Sequence, residues 1–126
     1  MDRTNPYEAL GKVFHEPHRL AIVSVLCSGS LGMSFQDLKS FCNLTDGNLS
    51  RHLRTLDEAK IVVLKKEFVD NRPRTTVFIS ETGRSQFLQY LAALENVFSK
   101  AVASLSEEEM SQLGSAQLDY LPNILA

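Results

Sequence analysis

The sequence predicts a mainly α-helical domain that carries one small β-hairpin and ends in a long helix. Three observations support this. Apolar residues recur at helical spacing in several separate stretches. Residues 61–68 and 75–80, both rich in Val, Ile, Phe and Thr, flank a polar loop. Finally, Phe87, Leu91, Leu94, Phe98, Ala101 and Leu105 follow one another in steps of four and three. With 126 residues, 44% of them apolar, the chain can bury one core and extend one helical arm.

Taken in order, Asn5-Pro6-Tyr7-Glu8 reads as a helix start, with Asn5 as cap and Tyr7, Leu10 and Phe14 on one face. A second start at Glu16-Pro17 leads into Leu20–Cys27, apolar almost all round and so expected as a buried central helix ending at Ser28-Gly29. Ser34-Phe35-Gln36-Asp37 is a capping box opening a short helix that turns Leu38 and Phe41 inward. Cys42-Asn43-Leu44 is a tight turn, after which Thr45 caps a helix running to Lys60 with Leu49, Leu53 and Leu56 on its core side. The hairpin follows, with 69–74 as its loop. Ser80 caps the long helix, and Ser106-Glu107-Glu108-Glu109 restarts a shorter one, with acids where the helix dipole favours them.

This order of elements is that of a winged helix-turn-helix: 1–80 forms the winged domain with its N-terminal helix, and 81–126 a helical dimerisation arm. At 100° per residue the helix 45–60 turns Gly47, Asn48, Arg51, Arg54 and Thr55 away from its leucines, with Ser50 at the margin. These residue types suit the reading of a DNA groove. Arg pairs in bidentate fashion with guanine and Asn with adenine, Gly47 permits close backbone approach, and Thr45 caps an N-terminus that can face a phosphate. Lys65, Lys66, Arg72 and Arg74 add cations on and around the hairpin, where Arg suits a narrow minor groove.

The run Thr45-Asp46-Gly47-Asn48-Leu49-Ser50-Arg51-His52-Leu53-Arg54-Thr55-Leu56, with its exit Asp57-Glu58-Ala59-Lys60-Ile61-Val62, resembles the recognition helix of small bacterial winged-helix regulators, the ArsR/MarR-like group. His15-Glu16-Pro17-His18-Arg19-Leu20-Ala21-Ile22 resembles the opening of their second helix. Arg72-Pro73-Arg74-Thr75-Thr76 resembles a basic wing, and Ile79-Ser80-Glu81-Thr82-Gly83-Arg84 the junction into a dimerising helix. The resemblance implies a cytoplasmic, homodimeric transcription regulator that binds double-stranded DNA at a pseudo-palindromic operator. The recognition helix would lie in the major groove, and the wing on the minor groove or backbone. The alternative is a winged-helix protein–protein interaction module without DNA binding.

The expected dimer interface comprises Tyr7, Leu10, Phe14, Phe87, Leu91, Leu94, Phe98 and Leu105, widened by Leu88, Ala92, Val97 and Val102. No enzyme constellation, cofactor or metal site is expected, and no small-molecule effector can be named. His15 and His18 are separated by a helix-starting proline, and His52 flanks the groove-facing set as a solvated residue within reach of a phosphate. Cys27 belongs to the buried helix. Cys42 stands in Phe41-Cys42-Asn43, where the metal-sensing ArsR branch carries a cysteine pair, so that site is missing, and a redox role for Cys42 is the remaining alternative.

The net charge of −2 argues against a uniformly basic binder. It hides a division: residues 1–80 hold eleven Lys and Arg against nine Asp and Glu, whereas 81–126 hold two against six. No apolar run approaches the ~20 residues of a membrane span, and no signal peptide opens the chain, so no membrane association is expected.

Overall fold

A computed structural model describes residues 13–29 and 31–113. The expected cap at Asn5, the contacts of Tyr7 and Leu10, and the tail from Gly114 lie outside the described residues. The order is α1 (Pro17–Cys27), β1 (Met33–Ser34), α2 (Phe35–Cys42), α3 (Asp46–Glu58), β2 (Val62–Val69), β3 (Arg72–Ile79) and α4 (Glu81–Ala103). Val13 and Phe14 are helical, and so are residues 107–113. The strands form an antiparallel sheet in the order β1-β3-β2. This is the winged-helix architecture: helix-turn-helix α2–α3, hairpin β2–β3 and a long C-terminal helix. The chain divides into two compact units, Met1–Leu91 and Ala92–Ala126.

Local signals account for most helix ends. The Glu16 side chain accepts the Arg19 amide at 2.8 Å with Pro17 in the first turn, which satisfies two of the amide positions a helix start leaves open. Ser34 caps α2 through the Asp37 amide, and Thr45 caps α3 through the Asn48 amide. Asn43 takes the left-handed conformation (φ 55°) that ends α2 and turns the chain into α3, and Lys39 bridges the turn to Asp46 at 2.8 Å. Ser80 accepts the Gly83 amide at 2.8 Å and donates to the Lys60 carbonyl, joining the start of α4 to the end of α3. In the second unit, the Ser106 hydroxyl accepts the Glu109 amide while the Glu109 carboxylate accepts the Ser106 amide, a reciprocal capping box.

The core of the first unit lies between α1, α3, the sheet and the start of α4. It contains Ile22, Val23, Leu26, Leu38, Leu49, Leu53, Leu56, Ile61, Val77 and Phe87. Phe14 packs edge-on against Phe87 with ring centroids 5.3 Å apart and touches Tyr90 at the same distance. These two phenylalanines therefore belong to the chain's own core and offer no surface to a second subunit, against the expectation for Phe14 and Phe87.

Four other expectations are corrected. Helix α1 is not buried all round: Ile22, Val23 and Leu26 are buried, whereas Ala21 and Ser24 are exposed. Phe41 is 70% exposed, since Leu38 takes the inward position of so short a helix. Helix α3 ends at Glu58 rather than Lys60, which adopts a left-handed φ of 62°. The hairpin loop shrinks from six residues to two. Asp70 and Asn71 both have positive φ (53° and 65°), the geometry of a tight turn that matches strand twist, so Val69, Arg72 and Arg74 lie within the strands. Strand β1 adds a third strand beside the expected hairpin, pairing Met33 with Val77 and Ser34 with Thr76.

Candidate nucleic-acid interface

Leu49, Leu53 and Leu56 are buried, so the opposite side of α3 must face out. Thr45, Gly47, Asn48, Ser50, Arg51 and Arg54 are exposed there, whereas Thr55, expected among them, is half-buried and donates its hydroxyl to the Arg51 carbonyl. The Arg51 guanidinium donates to the Asn48 side-chain oxygen at 3.2 Å, lining up a donor-rich fork and an amide along one turn. No atom approaches within 4 Å of the place a Cβ would take on Gly47, so no packing demand explains that glycine.

The hairpin cations divide between its two faces. Across the ladder Lys66 stands opposite Thr75, Glu67 opposite Arg74 and Val69 opposite Arg72. Alternation of side chains along each strand puts Lys66 and Thr75 on one face, and Lys65, Arg72 and Arg74 on the other. Ser50, Arg54 and Asp57 of α3 share a cleft with Leu64, Lys66 and Thr75. A second cleft runs between the start of α2 (Gln36, Asp37) and the hairpin tip (Val69, Arg72, Arg74). Lys65 sits 3.7 Å from Glu67, which neutralises part of its field. The structure thus brings Lys66 together with Arg54 and sets Lys65, Arg72 and Arg74 apart from them, whereas the sequence suggests one gathered cation surface.

His52 departs most from expectation. It is 6% exposed and faces the beginning of α1 instead of solvent. Its Nδ1 lies 4.0 Å from the Glu16 carboxylate and 3.4 Å from the Arg19 guanidinium, and its ring stacks on that of His18 with centroids 5.5 Å apart. Burial pushes the His52 pKa down, only partly offset by Glu16. Sequence reasoning misses this cluster because Glu16 and His18 lie far from His52 along the chain. A signal was present: with core leucines at 49, 53 and 56, position 52 lies on the same side of the helix. His15 is tied down too, its Nδ1 2.9 Å from the Tyr90 hydroxyl.

Leu88 (59% exposed) and Leu91 (41%) on α4 stay open in the first unit, as do Val97 and Phe98 (46%) in the second. Leu94 and Leu105 are half-buried. Among the described residues no helix is long and apolar enough to cross a membrane.

Fold and surface together define a winged-helix domain whose helix α3 carries an exposed polar face. The chain matches the family model described as winged helix DNA-binding domain over residues 18–98, and it belongs to that family. It is 38% identical over 80 residues to an uncharacterized protein of Methanocaldococcus jannaschii, an alignment covering 64% of this chain and 86% of the relative. Among solved structures, a transcriptional regulator homologue from Pyrococcus horikoshii OT3 superposes with a TM-score of 0.70 at 27% identity, over 78% of this chain and 98% of the other. A MarR-family transcriptional regulator from Silicibacter pomeroyi superposes at 0.54 and 18% identity, over 94% and 82% of the two chains. A mutant of S. aureus MepR bound to an oligodeoxyribonucleotide superposes at 0.61 and 17% identity, over 94% and 89%. The family is that of winged helix DNA-binding domains, and the fold is shared with these regulators.

Proposed function

We propose that this chain is a sequence-specific, double-stranded-DNA-binding transcriptional regulator that acts as a homodimer. Helix α3 enters the major groove, where Asn48, Ser50, Arg51 and Arg54 contact bases and nearby phosphates. Gly47 and the Thr45-capped N-terminus approach the backbone. Lys66 contacts phosphate beside Arg54, and Lys65, Arg72 and Arg74 reach the minor groove or backbone from the other face of the hairpin.

The observation that carries this reading is the exposed polar face of α3, on a helix whose other side is committed to the core. Such a face contributes little to packing, and its Arg and Asn side chains are those that discriminate base edges. The oligodeoxyribonucleotide complex of the MepR mutant is a precedent for DNA on this fold. The dimer reading rests on Leu88, Leu91, Val97 and Phe98, apolar side chains that the chain itself leaves open. In this proposal residues 1–80 form the DNA-binding part and 81–126 the dimerisation arm. A two-fold axis through that arm would set two recognition helices ~34 Å apart, which calls for a pseudo-palindromic operator.

Selection of bound fragments from a genomic library, followed by gel-shift titration, tests the proposal. Wild-type protein is expected to select a pseudo-palindrome. An Arg51→Ala/Arg54→Ala variant with unchanged thermal unfolding is expected to lose that preference, each bidentate contact being worth about 1–3 kcal/mol. Equal affinity and equal salt dependence in the variant would overturn DNA reading by α3 and favour the protein-interaction alternative.

A further inference from the structure

We propose that Glu16, His18 and His52 form a binding site for one divalent transition-metal ion of borderline softness, zinc being the reference. A carboxylate oxygen and one nitrogen from each imidazole all lie within 4.8 Å of one another. The Nδ1 of His18 is 3.0 Å and that of His52 4.0 Å from the carboxylate. Two imidazoles and a carboxylate with an open fourth position are a donor set suited to zinc, whereas magnesium and calcium prefer oxygen ligands. In a tetrahedron of ~2.1 Å bonds the ligand atoms stand about 3.4 Å apart, so closing on an ion takes a side-chain adjustment of about 1 Å. His18 is exposed and free to make it.

The fold positions these ligands before any ion arrives. Glu16 is the N-cap of α1, its carboxylate oriented by the Arg19 amide, and His18 stands in the first turn of that helix. His52 projects from the buried side of α3. Ligands must be deprotonated to bind, so uptake is expected to weaken at low pH. Desolvation acts to raise the Glu16 pKa, but the hydrogen bonds from Arg19 and His18 and the nearby histidines hold it below the usual carboxylate range. The Arg19 guanidinium, 3.4 Å from His52 Nδ1, is the competitor for that lone pair and moves aside when the ion binds. An ion at this position ties the entry of α1 to the middle of α3, so metal occupancy stiffens the recognition helix against the helix behind it.

The inference is independent of DNA binding, and metal uptake is measured without DNA. The untagged full chain, stripped with chelator, is titrated with Co²⁺ followed optically and with Zn²⁺ followed by calorimetry. One ion per chain is expected, with cobalt bands of nitrogen and oxygen ligation. His18→Ala and Glu16→Gln are expected to weaken binding about tenfold or more with unchanged thermal unfolding. His18 is exposed, and the amide introduced by Glu16→Gln keeps a side-chain oxygen for the cap. No uptake by the wild-type chain, equal affinity in His18→Ala, or thiolate-to-cobalt bands from Cys27 or Cys42 would each overturn the assignment.

Discussion

Gly47 and Gly83 are both helical, yet their surroundings are opposite. A Cβ on Gly83 would collide with the carbonyl of Ile61, backbone that cannot turn aside, because the Ser80 amide and hydroxyl both bond that oxygen. Gly83→Ala is expected to destabilise the fold by about 3 kcal/mol in denaturant titrations, as overpacking against backbone does. Gly47 meets nothing, so Gly47→Ala should raise stability by about 0.5–1 kcal/mol through helix propensity alone. Under the DNA-binding proposal the same methyl crowds the phosphate backbone and weakens binding, so a stabilised variant with reduced affinity separates function from fold. The two cysteines allow a third test at this scale. Partial burial pushes both thiol pKa values up, with Arg84 offsetting some of the effect at Cys27. Less thiolate is present near neutral pH than in a free cysteine, and the pH at which reactivity rises moves upward. Cys42 should therefore react with a disulfide reagent more slowly than free cysteine at pH 7, the difference narrowing as pH rises. Faster reaction would support the redox-sensing alternative.

Among the elements, α4 and the hairpin each serve two purposes. The start of α4 completes the core through Gly83, Phe87 and Tyr90 while turning Leu88 and Leu91 outward. Its later residues carry Phe98, also exposed. If these side chains form the dimer seam, Leu91→Glu/Phe98→Glu should leave helical content unchanged. It should weaken self-association about 30-fold or more in sedimentation equilibrium, since buried hot-spot side chains are typically worth 2 kcal/mol or more. An unchanged dimer would place the seam elsewhere. The hairpin is organised by its two-residue turn. A turn of that length sets the register, and register decides which cations face α3. Lys66 shares the cleft with Arg54, while Arg72 and Arg74 stand on the opposite face near the tip.

The molecule as a whole is nearly neutral, and its polarity matters more than its sum. Residues 1–80 hold the surplus of cations and 81–126 that of acids, so under the DNA-binding proposal the attractive charge belongs to the winged domain. Under the DNA-binding proposal, affinity should fall with salt at a log–log slope of about −0.9 per neutralised phosphate. Lys66→Ala should make that slope shallower by about one unit and weaken all sequences alike, whereas Arg54→Ala should relax sequence choice. Binding curves at several salt concentrations distinguish the two effects. A slope unchanged by Lys66→Ala would remove that residue from the contact surface.

Features set by near neighbours were legible in the sequence. Ser34, Thr45 and Ser80 cap the helices they were expected to cap, and the helix restart expected at Ser106 is capped by its hydroxyl, because a cap needs only a hydroxyl and an amide three residues on. Leu49, Leu53 and Leu56 fixed the inner side of α3, and with it the exposed face of Asn48, Ser50, Arg51 and Arg54. The winged-helix order followed from those elements in series. The tertiary structure alone decided what depends on partners distant in the chain. Phe14 and Phe87 could serve a core or an interface equally well until α4 folded back onto the N-terminal segment. Phe41 looked inward by composition, but α2 has room for only one buried side. The hairpin cations looked like one cluster until a two-residue turn set the pleat that separates Lys66 from Arg72 and Arg74. His52 looked solvated on a helix flank. Packing α3 against the start of α1 buried it beside Glu16 and His18, because periodicity says which side of a helix a residue occupies and only packing says what that side meets.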